Sequence, residues 1–322
     1  MPHSVNFKDV FKKNLIEQPR KKTIQEPNMS PDISFKDISS NKVILDISSN
    51  KVDLDVVSKA RASEKNIVII YTYFKTGVAD YNINYFLKKE LTYKKNIDYI
   101  IVINGYLCGV VFPKITNLTV LRRGNKGYDF GGHSHALKFI EEQKLSYNYY
   151  FFMNSGVFGP IMPKYISSHW SDIFIAKLSG LVKIVSTSIV CLSKTDLGGY
   201  GPKAEGFFFL TDATGLKLLI AEKTVFCEHK DKVSAIINGE YGMSRCIFRH
   251  GFTIDCILKG YSGVDWFNRR NWGLNNNLHP TRKNAYFGKS INPYDVIFHK
   301  WHWAGQERVN YNVVKEYVDN TV

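Results

Sequence analysis

Cysteine is scarce in this chain of 322 residues, and the few cysteines present form no pattern. Their number is odd and no two are spaced as Cys-x-x-Cys, so neither a disulfide framework nor a zinc site is indicated. We therefore expect free thiols in a reducing compartment. The five cysteines are Cys108, Cys191, Cys227, Cys246 and Cys256.

Long apolar runs are missing as well. No run approaches the ~20 residues that a membrane-spanning helix needs. The N-terminal stretch MPHSVNFKDVFKKNLIEQPRKK has no continuous apolar core of the kind that marks a signal peptide. These absences predict an intracellular, cytoplasmic protein without a transmembrane segment.

Acidic residues are outnumbered, 29 against 43 lysines and arginines, which gives a formal net charge of +14. Such a charge is typical of proteins that bind nucleic acid, an anionic membrane surface or an anionic small substrate. The sequence shows no helix-turn-helix, zinc-finger or RNP signature, and its basic residues are dispersed. We expect most of the excess on the solvated surface and a smaller part around an anionic ligand.

The first 64 residues differ from the rest of the chain. They are polar and poor in aromatic residues, and they carry the near-repeat DISSNKV at 37–43 and again at 46–52. Two copies are too few for a solenoid, which needs at least three. We predict a polar, flexible N-terminal extension at 1–64 and one α/β domain at 65–322.

From residue 65 onward, short apolar runs alternate with segments of helical periodicity. This alternation predicts a mainly parallel, Rossmann-like sheet flanked by helices. In such sheets ligands bind beyond the carboxyl ends of the strands. That edge should carry four segments rich in glycine and small polar residues: YTYFKTG, NGYLCG, RRGNKGYDFGG and MNSGVFGP.

The segment RRGNKGYDFGGHSHAL, at 122–137, leads from a predicted strand into a predicted helix. Glycines at a helix N-terminus let backbone N–H groups face a phosphate. The segment matches neither the dinucleotide GxGxxG nor a Walker loop. Two interpretations stay open, a phosphate-binding turn or a plain strand–helix turn in which Asp129 is the N-cap.

NKGYDFGG, together with FFMNSGVFGP at 151–160, resembles motifs of GT-A-fold inverting glycosyltransferases, closest to the rhamnan-synthesis and capsular-polysaccharide-type branch. The resemblance implies a GT-A-like domain that takes a nucleotide-sugar donor and a glycan or other hydroxyl acceptor. Together with the predicted edge, it suggests eight donor-binding residues: Thr72, Tyr73, Asn104, Asn125, Gly127, Asp129, Asn154 and Ser155.

Many members of that family carry a metal-binding Asp-x-Asp where this chain has Asn154 and Ser155. Mn²⁺ and Mg²⁺ prefer carboxylate oxygens, and an amide with a hydroxyl holds them weakly. A divalent cation thus stays an open cofactor. Asn154, His299 and His302 are weak candidate ligands.

The stretch AIINGEYGMSRCIFRHGFTI, at 235–254, predicts an amphipathic helix in which Glu240 has apolar or uncharged neighbours at i±3 and i±4. A carboxylate without a local counter-ion is costly unless a distant group or a function compensates. The stretch is similar to the family's acidic helix, which implies that Glu240 is the general base. The alternative is a structural carboxylate paired with an arginine elsewhere.

Two further residues fall on the implied acceptor side. Glu205 in PKAEGFFFL either contacts the acceptor or ends its strand, and the second interpretation is favoured. Trp301, in the tail segment NPYDVIFHKWHWAGQ, could stack on a sugar.

The resemblance implies an inverting transfer in which Glu240 deprotonates an acceptor hydroxyl. Fixed donors, with Arg122 or Arg123, would meet the charge of the leaving diphosphate. One alternative is a catalytically inactive protein of the same fold that binds a nucleotide-sugar or carbohydrate. A basic nucleic-acid-binding protein is the less favoured alternative.

Overall fold

The computed structural model of the protein describes residues 66–91 and 96–300. The predicted N-terminal extension at 1–64 lies outside these residues, and so do Trp301 and His302. Nothing in the described part tests the predictions made for them.

A seven-stranded sheet forms the centre of the described domain, in the order β3-β2-β1-β4-β8-β5-β9. Parallel pairing joins β1 to β2 and β4, β2 to β3, and β5 to β9, whereas β8 runs antiparallel to both of its neighbours. A separate two-stranded sheet pairs β6 with β7. The strands are β1 Ile67–Phe74, β2 Ile97–Asn104, β3 Leu118–Arg123, β4 Tyr149–Asn154, β5 Val182–Ser186, β6 Ile189–Val190, β7 Lys203–Ala204, β8 Phe208–Asp212 and β9 Thr253–Cys256.

Helices cover both faces of the sheet, which confirms the predicted α/β class. The helices are α1 Ala79–Glu90, α2 Tyr128–Glu142, α3 Trp170–Ile175, α4 Ala213–Ala221 and α5 Gly242–Arg249. A three-residue helical turn, Lys232–Ser234, and a π-helix, Ala235–Tyr241, lead into α5. Three 3₁₀ segments are Lys194–Asp196, Arg269–Asn277 and Pro293–Asp295. Among the described residues no helix is long and apolar enough to cross a membrane.

The segments KYISSHWSDIFIAKL, at 164–178, and VKIVSTSIVCL, at 182–192, predict a helix and a strand, and both elements are shorter in the structure. The helix expected within 164–178 covers only α3, and its N-cap His169 accepts a hydrogen bond from the backbone N–H of Ser171. The strand expected at 182–192 breaks after Ser186, whose hydroxyl donates to the carbonyl of Ser188. That local bond turns the chain out of the main sheet, so the pattern continues as β6 in the second sheet.

The core follows from the alternation of side chains along the strands. In β1, Val68 and Ile70 belong to the apolar cluster on one face of the sheet, while Ile69 and Tyr71 belong to the cluster on the other. Both faces are buried, as near-continuous apolar strands require.

The strand order reverses at β1. The chain runs from β1 outward to β2 and β3 on one side, and then returns to place β4 on the other side. Such a switch point opens a crevice beyond the carboxyl ends of the two diverging strands. Thr72 of β1 lies opposite Asn154 of β4 in the register, so the predicted polar segments do meet at this crevice.

Helix α2 is seated directly over this end of β1. The ring of His133 is fully buried, and its Nδ1 lies 3.0 Å from the hydroxyl oxygen of Thr72. A Cβ on Gly132 would come within 2.5 Å of the Thr72 methyl group, so glycine lets helix and strand approach closely. Burial lowers the pKa of His133 to about 3. The imidazole is therefore neutral, and it fixes the helix N-terminus at the crevice.

Candidate active site

A cavity of about 460 Å³ lies where β1 and β2 end and α2 begins. Its wall combines two aromatic rings, two asparagines, two lysines and two carboxylates with backbone from the α2 N-terminus. Four predicted donor-binding residues contribute to it. The lining residues are Phe74, Asn104, Asn125, Lys126, Gly127, Tyr128, Asp129, Glu228, His229 and Lys230.

The α2 N-terminus has a backbone that requires glycine at its cap. Gly127 is the N-cap at φ +71°, and a Cβ there would overlap the Cα of Glu228. Asp129 follows as the second residue of the helix, and α2 has no side-chain capping bond. The interpretation of Asp129 as an N-cap is therefore wrong, because the chain turns into the helix two residues earlier.

Arg123 fastens the loop that precedes α2. Its Nη1 donates to the Asn104 side-chain oxygen at 2.9 Å and to the Lys126 carbonyl at 2.7 Å, and its guanidinium pairs with Glu228. These contacts occupy the Arg123 guanidinium and hold it beside the cavity. Lys126 and Lys230, for which the described part of the chain shows no ion pair, are the cations that face the cavity itself.

Asp129 and Asn154 connect helix α2 to the end of β4. The Asn154 amide donates to Asp129 Oδ2 at 2.7 Å, and the backbone N–H of Gly156 donates to Asn154 Oδ1 at 2.8 Å. Burial raises the pKa of Asp129, with a further rise from Glu240, although Asn154 and the Lys300 ammonium act in the opposite direction. The raised pKa means that keeping the Asp129 carboxylate ionised beside the cavity costs free energy.

Four predicted donor-binding residues lie outside the cavity lining: Asn154, described above, and Thr72, Tyr73 and Ser155. Thr72 is buried beneath α2, and the hydroxyl of Tyr73 donates to Asp80 on the opposite face of β1. The Ser155 hydroxyl bonds the backbone of Phe74, donating to its carbonyl at 3.1 Å and accepting from its N–H at 3.2 Å. These groups join β1, β4 and α1, and direct contact with a donor by any of them stays a prediction.

Glu240 lies on the π-helix Ala235–Tyr241 instead of the α-helix that the sequence predicts. The wider i→i+5 turn changes which residues share a face, so Tyr241 is fully buried while Ile236 and Ile237 stay partly exposed. Gly206 packs against the Glu240 side chain, because a Cβ on this glycine would lie 2.7 Å from Glu240 Cγ. The π-helix thus places Glu240 over the loop between β7 and β8.

A buried cation balances the negative charge of Glu240, and the sequence around Glu240 gave no sign of this cation. The ammonium of Lys203, on β7, pairs with Glu240 and lies 3.5 Å from Glu205 Oε1. Burial alone lowers the pKa of Lys203, but the carboxylates of Glu205 and Glu240 outweigh this effect and raise it. The counter-ion is thus a lysine from a distant strand and not the arginine of the alternative interpretation.

Glu205 belongs to the same cluster and is itself only 2 % exposed. His279 Nε2 lies 3.2 Å from Glu205 Oε1, and His279 Nδ1 lies 3.0 Å from the Thr281 hydroxyl oxygen. Burial raises the pKa of Glu205, but Lys203 and His279 together lower it below its ordinary value. Glu205 follows β7, and its burial places it behind Glu240 instead of at an open acceptor surface.

Asp129 and Glu240 face a common region. The Asn154 backbone N–H donates to the Phe207 carbonyl at 3.1 Å, which joins the Asp129–Asn154 pair to the loop beneath Glu240. The Lys300 ammonium lies 4.9 Å from the centre of the Phe207 ring. Asp129 therefore lines the cavity and has Glu240 and Lys300 as charged neighbours at the crevice.

The candidate metal ligands do not form a cation site among the described residues. Over 66–91 and 96–300 no three His, Cys, Asp or Glu side chains converge on one point. The Asn154 amide oxygen already accepts from Gly156. His299 is 1 % exposed, its ring nitrogens lack hydrogen-bond partners within the described part, and burial lowers its pKa to about 4. These donors do not fit a Mn²⁺ or Mg²⁺ ion.

Several residues of the site escaped the sequence analysis. Lys203 and Glu205 alternate with apolar residues in PKAEGFFFL, and two opposite charges at that spacing are the signal that could have revealed the pair. The residues 228–230 gave no signal, because only the tertiary fold brings them to the α2 N-terminus.

No model of a known protein family matches the chain, and no curated protein sequence is similar to it. Among solved structures, the chain has a distant similarity to a mannosyltransferase from Pyrobaculum calidifontis, determined in complex with GDP-Man and Mn²⁺. The TM-score is 0.36 and the identity 10 %, over 62 % of this chain and 54 % of that one. The matched region thus spans about half the length of the mannosyltransferase chain.

We expect the variant Asp129→Asn to be more stable than the wild type at neutral pH. Because the pKa of Asp129 is raised, its carboxyl group contributes most to the free energy of unfolding while it is protonated, below the unfolded pKa of about 3.9. This contribution is lost as the pH rises through the folded pKa. Removing the charge should stabilise the protein at pH 7 by about 0.5–2 kcal/mol in urea unfolding. The gain should shrink as the pH falls toward 4.

Asp196→Asn is the matched control, because Arg282 lowers the pKa of Asp196. That variant should lose stability at pH 7. Equal destabilisation by both substitutions would show that Asp129 carries no electrostatic cost.

Proposed function

We propose that the protein is a glycosyltransferase that moves a sugar from a nucleotide-sugar donor to a hydroxyl of a glycan or other acceptor, with inversion at the anomeric carbon. The observation that carries this proposal is the cavity at the switch point, whose lining suits a nucleotide, together with a carboxylate across the same crevice. The resemblance of NKGYDFGG and FFMNSGVFGP to GT-A motifs supports it.

The cavity suits each part of a nucleoside diphosphate. The rings of Phe74 and Tyr128 are 41 % and 43 % exposed, which leaves their faces available to stack on a base. Asn125 offers an amide that can both donate and accept. Lys126 and Lys230 supply positive charge beside the α2 N-terminus, where phosphate groups are favoured. The two lysines and the backbone N–H groups at the α2 N-terminus can thus bind a diphosphate.

Glu240 is placed to act as the general base. Its side chain is 21 % exposed, and its charge acts on Asp129, which also interacts with Lys300. In a single displacement, the acceptor oxygen attacks the anomeric carbon, its proton passes to the Glu240 carboxylate, and the bond to the nucleoside diphosphate breaks. Asp129 would bind hydroxyl groups of the donor, and Lys300 would face the charge on the departing diphosphate.

A second candidate is a protein that binds the nucleotide-sugar without transferring it. The observation favouring it is the ion pair with Lys203, which engages the carboxylate that the reaction needs. Both candidates predict nucleotide binding, and only the first predicts turnover.

Lysine substitutions test the donor site. The double variant Lys126→Ala/Lys230→Ala should weaken the binding of a nucleoside diphosphate by about 30- to 1000-fold, since each of the two lost charge–phosphate contacts is worth roughly 1–2 kcal/mol. Calorimetry over a panel of nucleoside diphosphates, with and without Mn²⁺, measures the effect. Lys138→Ala/Lys217→Ala removes the same charge from exposed helix positions and should bind normally. Equal affinities of the two double variants for the nucleoside diphosphate would show that the cavity is not the donor site.

Replacing the base tests the transfer step. Glu240→Gln should bind the donor with unchanged affinity and lose at least a hundredfold in kcat, since general-base assistance is typically worth ~10²–10⁴ in rate. Release of nucleoside diphosphate in the presence of an acceptor reports turnover. The control is Glu222→Gln, whose partner Arg249 lies on the surface. Turnover by Glu240→Gln close to that of the wild type would exclude this base, and a wild type that binds but never transfers would favour the second candidate.

A further inference from the structure

The charge cluster behind Glu240 has an arrangement that burial alone does not explain. Side-chain exposure is 4 % for Lys203 and 3 % for Glu205, but 21 % for Glu240. The Glu205 carboxylate is therefore buried, whereas the Glu240 carboxylate is partly exposed at the crevice. Two carboxylates share one ammonium, so the cluster keeps one negative charge in excess.

His279 does not cancel that charge. Burial lowers the pKa of His279, although Glu205 acts in the opposite direction. A neutral imidazole donates from Nε2 to Glu205 and accepts at Nδ1 from the Thr281 hydroxyl, which agrees with both distances. His279 thus holds Glu205 in place without removing its charge. The excess negative charge therefore falls on Glu240, the exposed member of the cluster.

The strand that carries Lys203 is fixed to the helix that follows Glu240. The backbone N–H of Ala204 donates to the Ser244 hydroxyl at 2.9 Å, and Ser244 lies on α5. The Lys203 ammonium also lies 5.5 Å from the centre of the Tyr241 ring. Strand β7 is therefore joined to α5 by a hydrogen bond and to the end of the π-helix by the contact of Lys203 with Tyr241.

We propose that Lys203 is a positioning residue that holds the Glu240 carboxylate toward the crevice, and that Glu205, itself fixed by His279, holds Lys203. This inference rests on the proposed function. Without the ammonium, the Glu240 side chain would lose the partner that orients it. The groups that face or influence Glu240 are Lys203, Glu205, Tyr241 and Asp129, with Lys300 beyond Asp129.

The test uses a double variant, because Lys203→Met alone leaves the buried Glu205 without a cation and can prevent folding. Lys203→Met/Glu205→Gln removes both charges and leaves Glu240 unpaired. We expect near-normal donor affinity and a kcat at pH 7 at least tenfold lower, with KM changed little, because only the placement of Glu240 is altered. Lys183→Met/Asp212→Asn is the matched control, since it removes another largely buried lysine–carboxylate pair, and its kcat should stay close to that of the wild type.

A readout without turnover accompanies the kinetics. Crystal structures of the wild type and of the double variant compare the position of the Glu240 side chain, which should leave the crevice in the variant. An unmoved Glu240 side chain together with an unchanged kcat overturns the positioning role, even if Glu240→Gln abolishes transfer. If the wild type shows no transfer but the side chain moves, Lys203 positions Glu240 and it is the proposed function that fails.

Discussion

The buried ammonium of Lys203 is the interaction on which the geometry of the site depends. A lysine at such depth persists only with carboxylates around it, and β7 supplies one while the π-helix supplies the other. Because one of these carboxylates lies at the crevice, the requirement for charge balance in the interior also determines where Glu240 is held. Removing Lys203 would leave the buried Glu205 carboxylate without its cation, which is usually costly.

The cavity follows from a different constraint, the reversal of strand order at β1. Diverging strands leave a space beyond their ends, and the close approach of α2 to β1 at Gly132 brings the helix N-terminus to its margin. Arg123 then fastens the loop through Asn104, the Lys126 carbonyl and Glu228. The candidate donor site is therefore built on rigid elements of the sheet, and its lysines stay available for a ligand.

The strand and helix pattern was readable because hydrophobic periodicity depends on local sequence alone. It predicted the alternating strands and helices from residue 65 onward, and it placed Asn104, Asn125, Gly127 and Asp129 at one edge. The π-helix was not predicted, since one wider turn leaves almost no trace in the spacing of apolar residues. The Lys203–Glu240 pair was missed for a related reason: the two residues are 37 positions apart, and only the tertiary fold joins them.

The central claim is that a nucleotide-sugar in the α2 cavity presents its anomeric carbon to Glu240. A crystal structure of the protein with a nucleotide-sugar bound tests this most directly. The account predicts a base against Phe74 and Tyr128, a diphosphate at Lys126 and Lys230, and a sugar that reaches into the crevice beside the Glu240 carboxylate. A nucleotide bound elsewhere, or a sugar directed away from Glu240, would contradict it.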